Sequence, residues 1–399
     1  MPTASAPPSR RAFLPFADLF ASYYAHIGFF NPYLPLWLKE AGYGLFAISL
    51  LTSVQAATRL FAPYAWGWLS DRSGERVKLL RYGATVAVLA SLGLWFRLDA
   101  WWLLAVLLVM FTHTSAMMPM SEAAMAHLVS QGGSFDAKRY GRVRLCGSVG
   151  FLVTVFIAGA WFERFGMRHF AAWTTLTIAA VMLSAWLMPD LKESVPAHAQ
   201  RLPVLSVLQQ RSVQLFFASA FFHVLSHVGI YTFFSLYLDA LGYSKTMIGS
   251  LWAVSVIVEI AWFYTQARWL PKLSLTAWLA LCSATMLLRM ALTAQLGRVL
   301  WVLVLAQAVH AITFAAHHTT CIALLSHHFP GRLRGRGQAL YIVIAYGLSG
   351  VLGGLAGGAL SSRYGLASVF WACSATSFVA TVFALMAWRG QHPTSRAAG

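Results

Sequence analysis

Long apolar runs separated by short polar breaks extend along the whole chain. A membrane-crossing helix needs about 20 apolar residues. Twelve runs qualify: 14–38, 44–69, 79–97, 101–128, 142–162, 169–188, 213–238, 246–267, 274–294, 299–326, 337–360 and 367–388. They are continuous, as Trp101 to Phe111 and Val299 to Phe314 illustrate. A membrane barrel would instead read as short alternating segments. Backbone groups in hydrocarbon must bond internally, so the spans are helices. The longest polar break, Pro189 to Arg211, separates six runs from six. The pattern predicts an all-α integral membrane protein of twelve helices. Its expected parts are a disordered N-terminal segment 1–13, a half 14–188, a central loop 189–212, a half 213–388 and a tail 389–399.

Composition agrees with this division. The 399 residues are 59% hydrophobic and 10% charged, against about 25% charged in soluble chains. The net charge of +17 would suggest nucleic acid in a soluble protein, but here the charge sits in loops. Of the 29 Lys and Arg, twenty fall on the side that carries both ends and the central loop, seven on the other, and Arg59 and Arg289 inside runs. Basic residues gather on the cytoplasmic side, which places both termini and the central loop there. Arg10 and Arg11 read as a cytoplasmic anchor, because no small-residue cleavage site follows them. The four cysteines, Cys146, Cys282, Cys321 and Cys373, lie in apolar runs without metal-ligand spacing and read as packing residues.

The halves repeat. Leu38-Lys-Glu-Ala-Gly42-Tyr43 returns as Leu238-Asp-Ala-Leu-Gly242-Tyr243, and Glu163-Arg164-Phe-Gly166 as Ser362-Arg363-Tyr-Gly365, at nearly equal separations. A charged island, Gly67-Trp-Leu-Ser-Asp71-Arg72-Ser-Gly74-Glu75-Arg76-Val-Lys78, lies between the second and third runs. Its pattern Gly-x-x-x-Asp-Arg-x-Gly-x-Arg resembles the signature of the major facilitator superfamily, apart from Glu75, where that family usually has a base. The resemblance covers nearly the whole chain. It implies two six-helix halves related by an axis along the membrane normal, alternating access, and a substrate site near the midplane. It also implies a gating role for Gly67, Asp71, Arg72, Gly74 and Arg76, with Asp71 meeting a helix N-terminus, an arrangement that favours an anion.

A narrower resemblance rests on five stretches: Tyr140-Gly-Arg142-Val-Arg144-Leu-Cys-Gly147-Ser-Val-Gly150-Phe151, Leu251-Trp-Ala-Val-Ser-Val-Ile-Val-Glu259, Leu288-Arg289, His310-Ala-Ile-Thr-Phe-Ala-Ala-His317-His318, and Arg334-Gly-Arg-Gly337-Gln338-Ala-Leu-Tyr341. Together they are similar to the phenylpropionate-permease branch and its lactose- and nucleoside-symporter relatives. That resemblance implies proton-driven uptake across a bacterial inner membrane.

Ionisable residues inside spans are costly and mark function by default. Late in the fourth run, Glu122 shares depth with Arg144, early in the antiparallel fifth. The two should pair, and Arg144 can also fork onto a carboxylate. In the eighth and ninth runs, Glu259 and Arg289 supply a carboxylate whose proton affinity depends on a nearby cation. His310 and His317 lie two turns apart on one face, whereas His318 matches the family spacing better. Both histidines remain candidates for proton coupling, beside Glu259, Arg289 and His310. His26 and His227 are nearly repeat-equivalent, His223 shares a face with His227, and these could line a cavity with Asn31, Gln55 and Arg59. The substrate set is therefore Arg144, Glu122, Arg59, His26, His227, Gln55 and Asn31.

No nucleophile constellation, phosphate-binding loop or metal set is present, so neither an enzyme nor a cofactor is expected. The expected function is symport of a small organic anion, such as an aromatic monocarboxylate, with protons. The expected partners are that substrate, protons and membrane lipids, not nucleic acid, with the protein a monomer. Transport of a neutral sugar or nucleoside, or efflux, is the alternative, and a non-transporting sensor is a remoter one.

Overall fold

The computed structural model describes residues 13–96, 99–115, 117–129, 137–190, 204–330 and 333–391. The expectations for residues 1–12, for 191–203 of the central loop and for the tail beyond 391 lie outside the described residues. Among the described residues, twelve long helices follow one another. They are α1 (Leu14–Glu40), α2 (Leu45–Thr58 and Ala62–Ser73), α3 (Arg76–Trp95), α4 (Ala100–Thr114 and Met117–Val129), α5 (Ala137–Phe165), α6 (Phe170–Leu187), α7 (Arg211–Ala240), α8 (Lys245–Trp269), α9 (Leu275–Leu296), α10 (Leu300–His328), α11 (Arg334–Tyr364) and α12 (Leu366–Gln391). Eleven of the described helices are long and apolar enough to cross a membrane. The remaining long helix is α1, whose sequence includes Asp18, Ser22, His26, Asn31, Lys39 and Glu40. No strand occurs among the described residues.

The repeats seen in sequence end in matched backbone geometry. Gly42 and Gly242 have φ of 91° and 90°, and Gly166 and Gly365 have 71° and 80°. Residues with side chains rarely adopt this left-handed region, so these glycines set the sharp exits after α1, α5, α7 and α11.

By packing, the chain divides into two bodies. The first comprises Met1–Gly42, Ala57–Ala199 and Ser244–Ser250, the second Tyr43–Ala56, Gln200–Tyr243 and Leu251–Gly399. In the first, α1 lies very close to α5. A Cβ added at Gly28 would stand 2.7 Å from the Phe151 carbonyl oxygen, and one at Gly150 would collide with the Ala21 carbonyl. Small residues allow such backbone approach in membranes, where burying hydrocarbon gives no advantage over lipid. Phe29, Phe30, Phe162, Phe170 and Trp173 form a continuous ring cluster between α1, α5 and α6. Arg81 of α3 donates to the Met188 carbonyl at 2.6 Å and to Asp190 at 2.8 Å, tying α3 to the end of α6.

In the second body, serine hydroxyls donate to carbonyls of neighbouring helices. Ser226 reaches Cys373 at 2.8 Å, Ser219 reaches Ala380 at 3.0 Å, and Ser374 reaches Leu287 at 3.0 Å. Three of its helices widen into π turns, at Gly229–Phe233 in α7, Ala311–Ala316 in α10 and Ile342–Leu348 in α11. Such turns shift side chains out of the regular helical register and are frequent at functional sites.

Candidate functional site

Each body carries its own group of polar residues. In the first, the basic start of α5 meets the second segment of α4, and Arg144 donates to the Glu122 carboxylate in a close ion pair. Both side chains are half-exposed. Arg59 stands near this pair, at a break in α2. Leu60 and Phe61 close tight turns back to Ala57 and Thr58, and Pro63 supplies no N–H to carry the helix across. Tyr23 of α1 lies within electrostatic range of both Arg59 and Glu122. Four helices thus bring Tyr23, Arg59, Glu122 and Arg144 into one neighbourhood.

Separately, an open cavity of ≈ 530 Å³ runs along α1 and α5. Its walls are mostly small or aliphatic, including Ala21, Ala25, Leu145, Val149 and Gly150, and its polar lining is Ser22, Arg142, Cys146 and Thr154. That is an apolar trough with a cation on its wall, in the usual volume range of small-molecule sites. Cys146 is half-buried, whereas Cys282, Cys321 and Cys373 are buried.

The other residues expected in the first body take different places. His26 is buried in the ring cluster, against Phe29 and Phe30, and its Nδ1 bonds the Thr177 hydroxyl at 2.9 Å. That hydroxyl already donates to the Trp173 carbonyl at 2.8 Å, so it accepts from His26. His26 therefore fixes α1 to α6 and is not part of the cavity wall. Asn31, half-buried on α1, does not line the cavity either, and Gln55 belongs to the part of α2 that packs in the second body.

The island between α2 and α3 is a helix end and a helix start. Gly74, with φ of 67°, closes α2 by donating to the Ser70 carbonyl at 2.8 Å. Arg76 donates to the Ser70 hydroxyl at 3.0 Å, Arg72 lies over the Trp68 ring at 5.4 Å, and Gly67 sits within α2. Glu75, the departure from the family pattern, pairs with Lys78 at 2.8 Å. The side chain of Asp71 lies outside the described residues.

The second body buries its polar group more deeply. Arg289 of α9 is 1% exposed. Its Nη1 donates to the Thr313 hydroxyl at 2.8 Å and bonds His310 Nδ1 at 3.0 Å, and its Nη2 donates to the Gln307 side-chain oxygen. A guanidinium has no acceptor, so Nδ1 of His310 carries no hydrogen while this bond stands. The ring's hydrogen is then on Nε2, which faces Glu259 Oε2 of α8 at 3.9 Å. Arg289, His310 and Glu259 are thereby linked in series. The sequence suggested that Glu259 and Arg289 act as neighbours; His310 stands between them, hydrogen-bonded to Arg289 and facing Glu259 across 3.9 Å.

Three more histidines adjoin this chain. His223 of α7 donates from Nε2 to the Thr313 carbonyl at 2.7 Å, and its Nδ1 meets the Ser283 hydroxyl at 3.1 Å. It stacks on His317 with ring centroids 3.6 Å apart. His227 donates from Nδ1 to the His223 carbonyl at 3.3 Å, and its Nε2 is buried without a hydrogen-bond partner. A small cavity is lined by His223, Val224, His227, His317, Tyr231, Phe314 and Tyr346. Sequence left His317 and His318 equal. Here His317 joins the cluster and His318 stacks on Phe314 instead. The π turn in α10 lies between His310 and His317, and both reach the same group across it.

Sequence reasoning passed over Gln307, Thr313 and Ser283, the neutral partners of Arg289 and His223. Gln307 lies three residues before His310, one helical turn away, and that spacing was the available signal.

Comparison with known proteins now decides the family. A model of the MFS_1 like family matches residues 17–372. The chain belongs to that family. It is a multi-pass major facilitator transporter, not an enzyme. It is 26% identical over 333 residues to a probable 3-phenylpropionic acid transporter of Escherichia coli (strain K12), covering 82% of this chain and 85% of that one. It is 25% identical over 362 residues to the maltose permease of Geobacillus stearothermophilus, covering 89% of each. Among solved structures, the nucleoside transporter NupG superposes with a TM-score of 0.81 at 14% identity, covering 95% of this chain and 99% of that one. That likeness shows a shared fold.

Proposed function

We propose that this transporter takes up a small organic anion with an apolar body, such as an aromatic monocarboxylate, together with protons. The observation that carries the reading is the series Arg289–His310–Glu259. His310 cannot accept a second proton on Nδ1 while Arg289 donates to that atom. Proton loading at His310 therefore competes with the Arg289 bond, protonation of Glu259 removes the negative charge that faces His310 Nε2, and a change of protonation becomes a change in how α8, α9 and α10 are tied. Glu259, with its side chain 24% exposed, is the proton's point of entry. Arg289, His310 and His317 complete the coupling group, and His227 offers its open Nε2 to the substrate or to water.

The anion's place is the trough along α1 and α5. Its aliphatic walls suit a hydrocarbon body, Arg142 is the cation on its wall, and Arg144, paired with Glu122 outside that lining, offers a planar fork to a carboxylate. Arg59 adds a further cation. The likeness to a phenylpropionic acid transporter supports this substrate class. The cycle is alternating access, with Gly67 to Arg76 as the gate on the side that carries the termini.

The comparable likeness to a maltose permease supports a second reading, a neutral sugar hydrogen-bonded to the Glu122–Arg144 pair. Purified protein in liposomes with an inward-directed proton gradient separates the two. 3-Phenylpropionate should accumulate, and it should protect Cys146 from maleimide, whereas maltose should do neither. Gradient-driven accumulation of maltose without phenylpropionate uptake would replace the first reading by the second.

A further inference from the structure

Helix α8 changes allegiance along its length. Its first residues, Ser244–Ser250, pack in the first body, and the helix from Leu251 onward packs in the second. The contacts that hold this short segment are unusual for an apolar bundle. Ser244 caps the helix by accepting the Met247 N–H at 3.1 Å. The first helical N–H, that of Lys245, donates to the carboxylate of Glu163 near the end of α5. The Lys245 carbonyl accepts from the Tyr33 hydroxyl of α1 at 3.1 Å, and the same hydroxyl faces the Val155 carbonyl of α5 at 3.3 Å.

Two glycines make the approach possible. A Cβ at Gly249 would stand 2.7 Å from the Val155 carbonyl oxygen, and one at Gly159 would stand 2.7 Å from the Tyr33 hydroxyl and 3.0 Å from the Lys245 carbonyl oxygen. Tyr33 itself is fully buried. A carboxylate on a helix N-terminus is favoured both by the macrodipole and by the charge on the hydrogen bond.

The other exchanged segment is built differently. Tyr43–Ala56 packs in the second body, where Gly350 lies against Ala56, Gly354 against Ser53 and Gly358 against Ser49. That seam is small residues on small residues. The seam at Ser244–Ser250 adds a charged group to the same kind of close packing.

We infer that Glu163 is a latch for the transport cycle, with Tyr33 as its lever. Its carboxylate holds the start of α8 against α5 in the state seen here, and the cycle requires its release. Glu163 is a positioning residue, since it touches helix α8 and not the proposed substrate trough. The inference rests on transport by alternating access and is independent of the cargo and of proton coupling.

Hydrogen exchange read by mass spectrometry on the full-length protein in lipid nanodiscs tests the latch without any substrate. Glu163→Gln should speed exchange in 244–250 by about fivefold, the size expected for losing a charge at a helix N-terminus. Tyr33→Phe should act in the same direction. A latch also predicts that exchange in 43–56 rises together with 244–250, although those residues pack in the other body, while 279–294 of α9 stays unchanged. Gly159→Ala, which wedges the seam and leaves the carboxylate intact, should reproduce the pattern. A rise confined to 244–250 would reduce Glu163 to a local cap and overturn the latch. So would unchanged exchange in Glu163→Gln and Gly159→Ala, or an equal rise along the whole chain. Failure of uptake in the liposome experiment would leave this outcome untouched, so the two readings fail separately.

Discussion

The two bodies share a helix plan and differ in what they bury. Their matched glycines show that α1 and α7, and likewise α5 and α11, end on the same backbone turn. Inside the first body, however, α1 is fixed by rings and glycine contacts, and its one buried histidine is consumed by packing. Its candidate site charges are the half-exposed pair Glu122–Arg144 and Arg59. The second body buries Arg289 with His223, His227, His310 and His317. All three π turns among the described residues lie in that body, and each adjoins this group or its cavity. Close-packed interiors resist gradual deformation. A polar network whose bonds depend on protonation has more than one satisfied arrangement. On the proposed function the contrast is a division of labour: a stiff half that shapes the cargo's trough, and a half that can be rewired.

The strongest way to break that contrast is to remove the proposed entry point of the proton, Glu259. Glu259→Gln should reduce gradient-driven accumulation at least about a hundredfold, a loss of roughly 2.7 kcal/mol of coupling, while exchange of labelled for unlabelled substrate survives. Accumulation equal to the parent's in liposomes with an imposed proton gradient would remove Glu259 from the mechanism. The complementary change lies in the first body. Arg144→Lys keeps the charge and loses the fork, so KM for 3-phenylpropionate should rise about tenfold or more, with the accumulation ratio at saturation unchanged. If that variant instead lost coupling and kept its KM, the two halves would have exchanged roles. A third change sharpens the structural side. Gly28→Ala drives a methyl against the Phe151 backbone, and overpacking of this kind costs about 1–3 kcal/mol. The midpoint of thermal unfolding in detergent should fall by several degrees, and Gly335→Ala, whose added methyl meets nothing within 4 Å, should not lower it.

Much of the fold was legible because a bilayer imposes it. Twelve runs of span length, with the six-and-six break at Pro189 to Arg211, leave few alternatives to a helical bundle. The paired loop repeats pointed to the glycines that terminate equivalent helices. The Glu122–Arg144 pair was legible from the antiparallel course of α4 and α5 alone. What remained hidden depends on departures from regular helix. A period of 3.6 assigns faces, but the π turn at Ala311–Ala316 shifts the register, and so the choice between His317 and His318 had no answer in the sequence. Arg59 reads as mid-span, yet Pro63 places it at a helix break. His26 resembles His227 by repeat position, and only its contacts with Phe29, Phe30 and the Thr177 hydroxyl of α6 reveal a packing role. Glu163 stood out as half of a repeat. Its bond to Lys245 joins residues from opposite sequence halves, which no local pattern reports.

The smallest expected effect is the most direct check on the two histidines that the repeat makes equivalent. His26→Asn can still donate to Thr177, and the ring cluster loses one member. His227→Asn removes the unpartnered Nε2 from the small cavity of the second body. If the bodies divide their labour as argued, His26→Asn should lower thermal stability by about 1 kcal/mol, the worth of one ring contact among many, and leave KM and accumulation within about twofold of the parent, since its ring bonds Thr177 of α6 and does not line the trough. His227→Asn should do the reverse, shifting transport with little change in unfolding. Parallel unfolding and uptake curves for both variants decide the matter. If His26→Asn proved the transport-sensitive member of the pair, α1 would have to open toward the cargo during the cycle, and the first body could no longer be regarded as the stiff half.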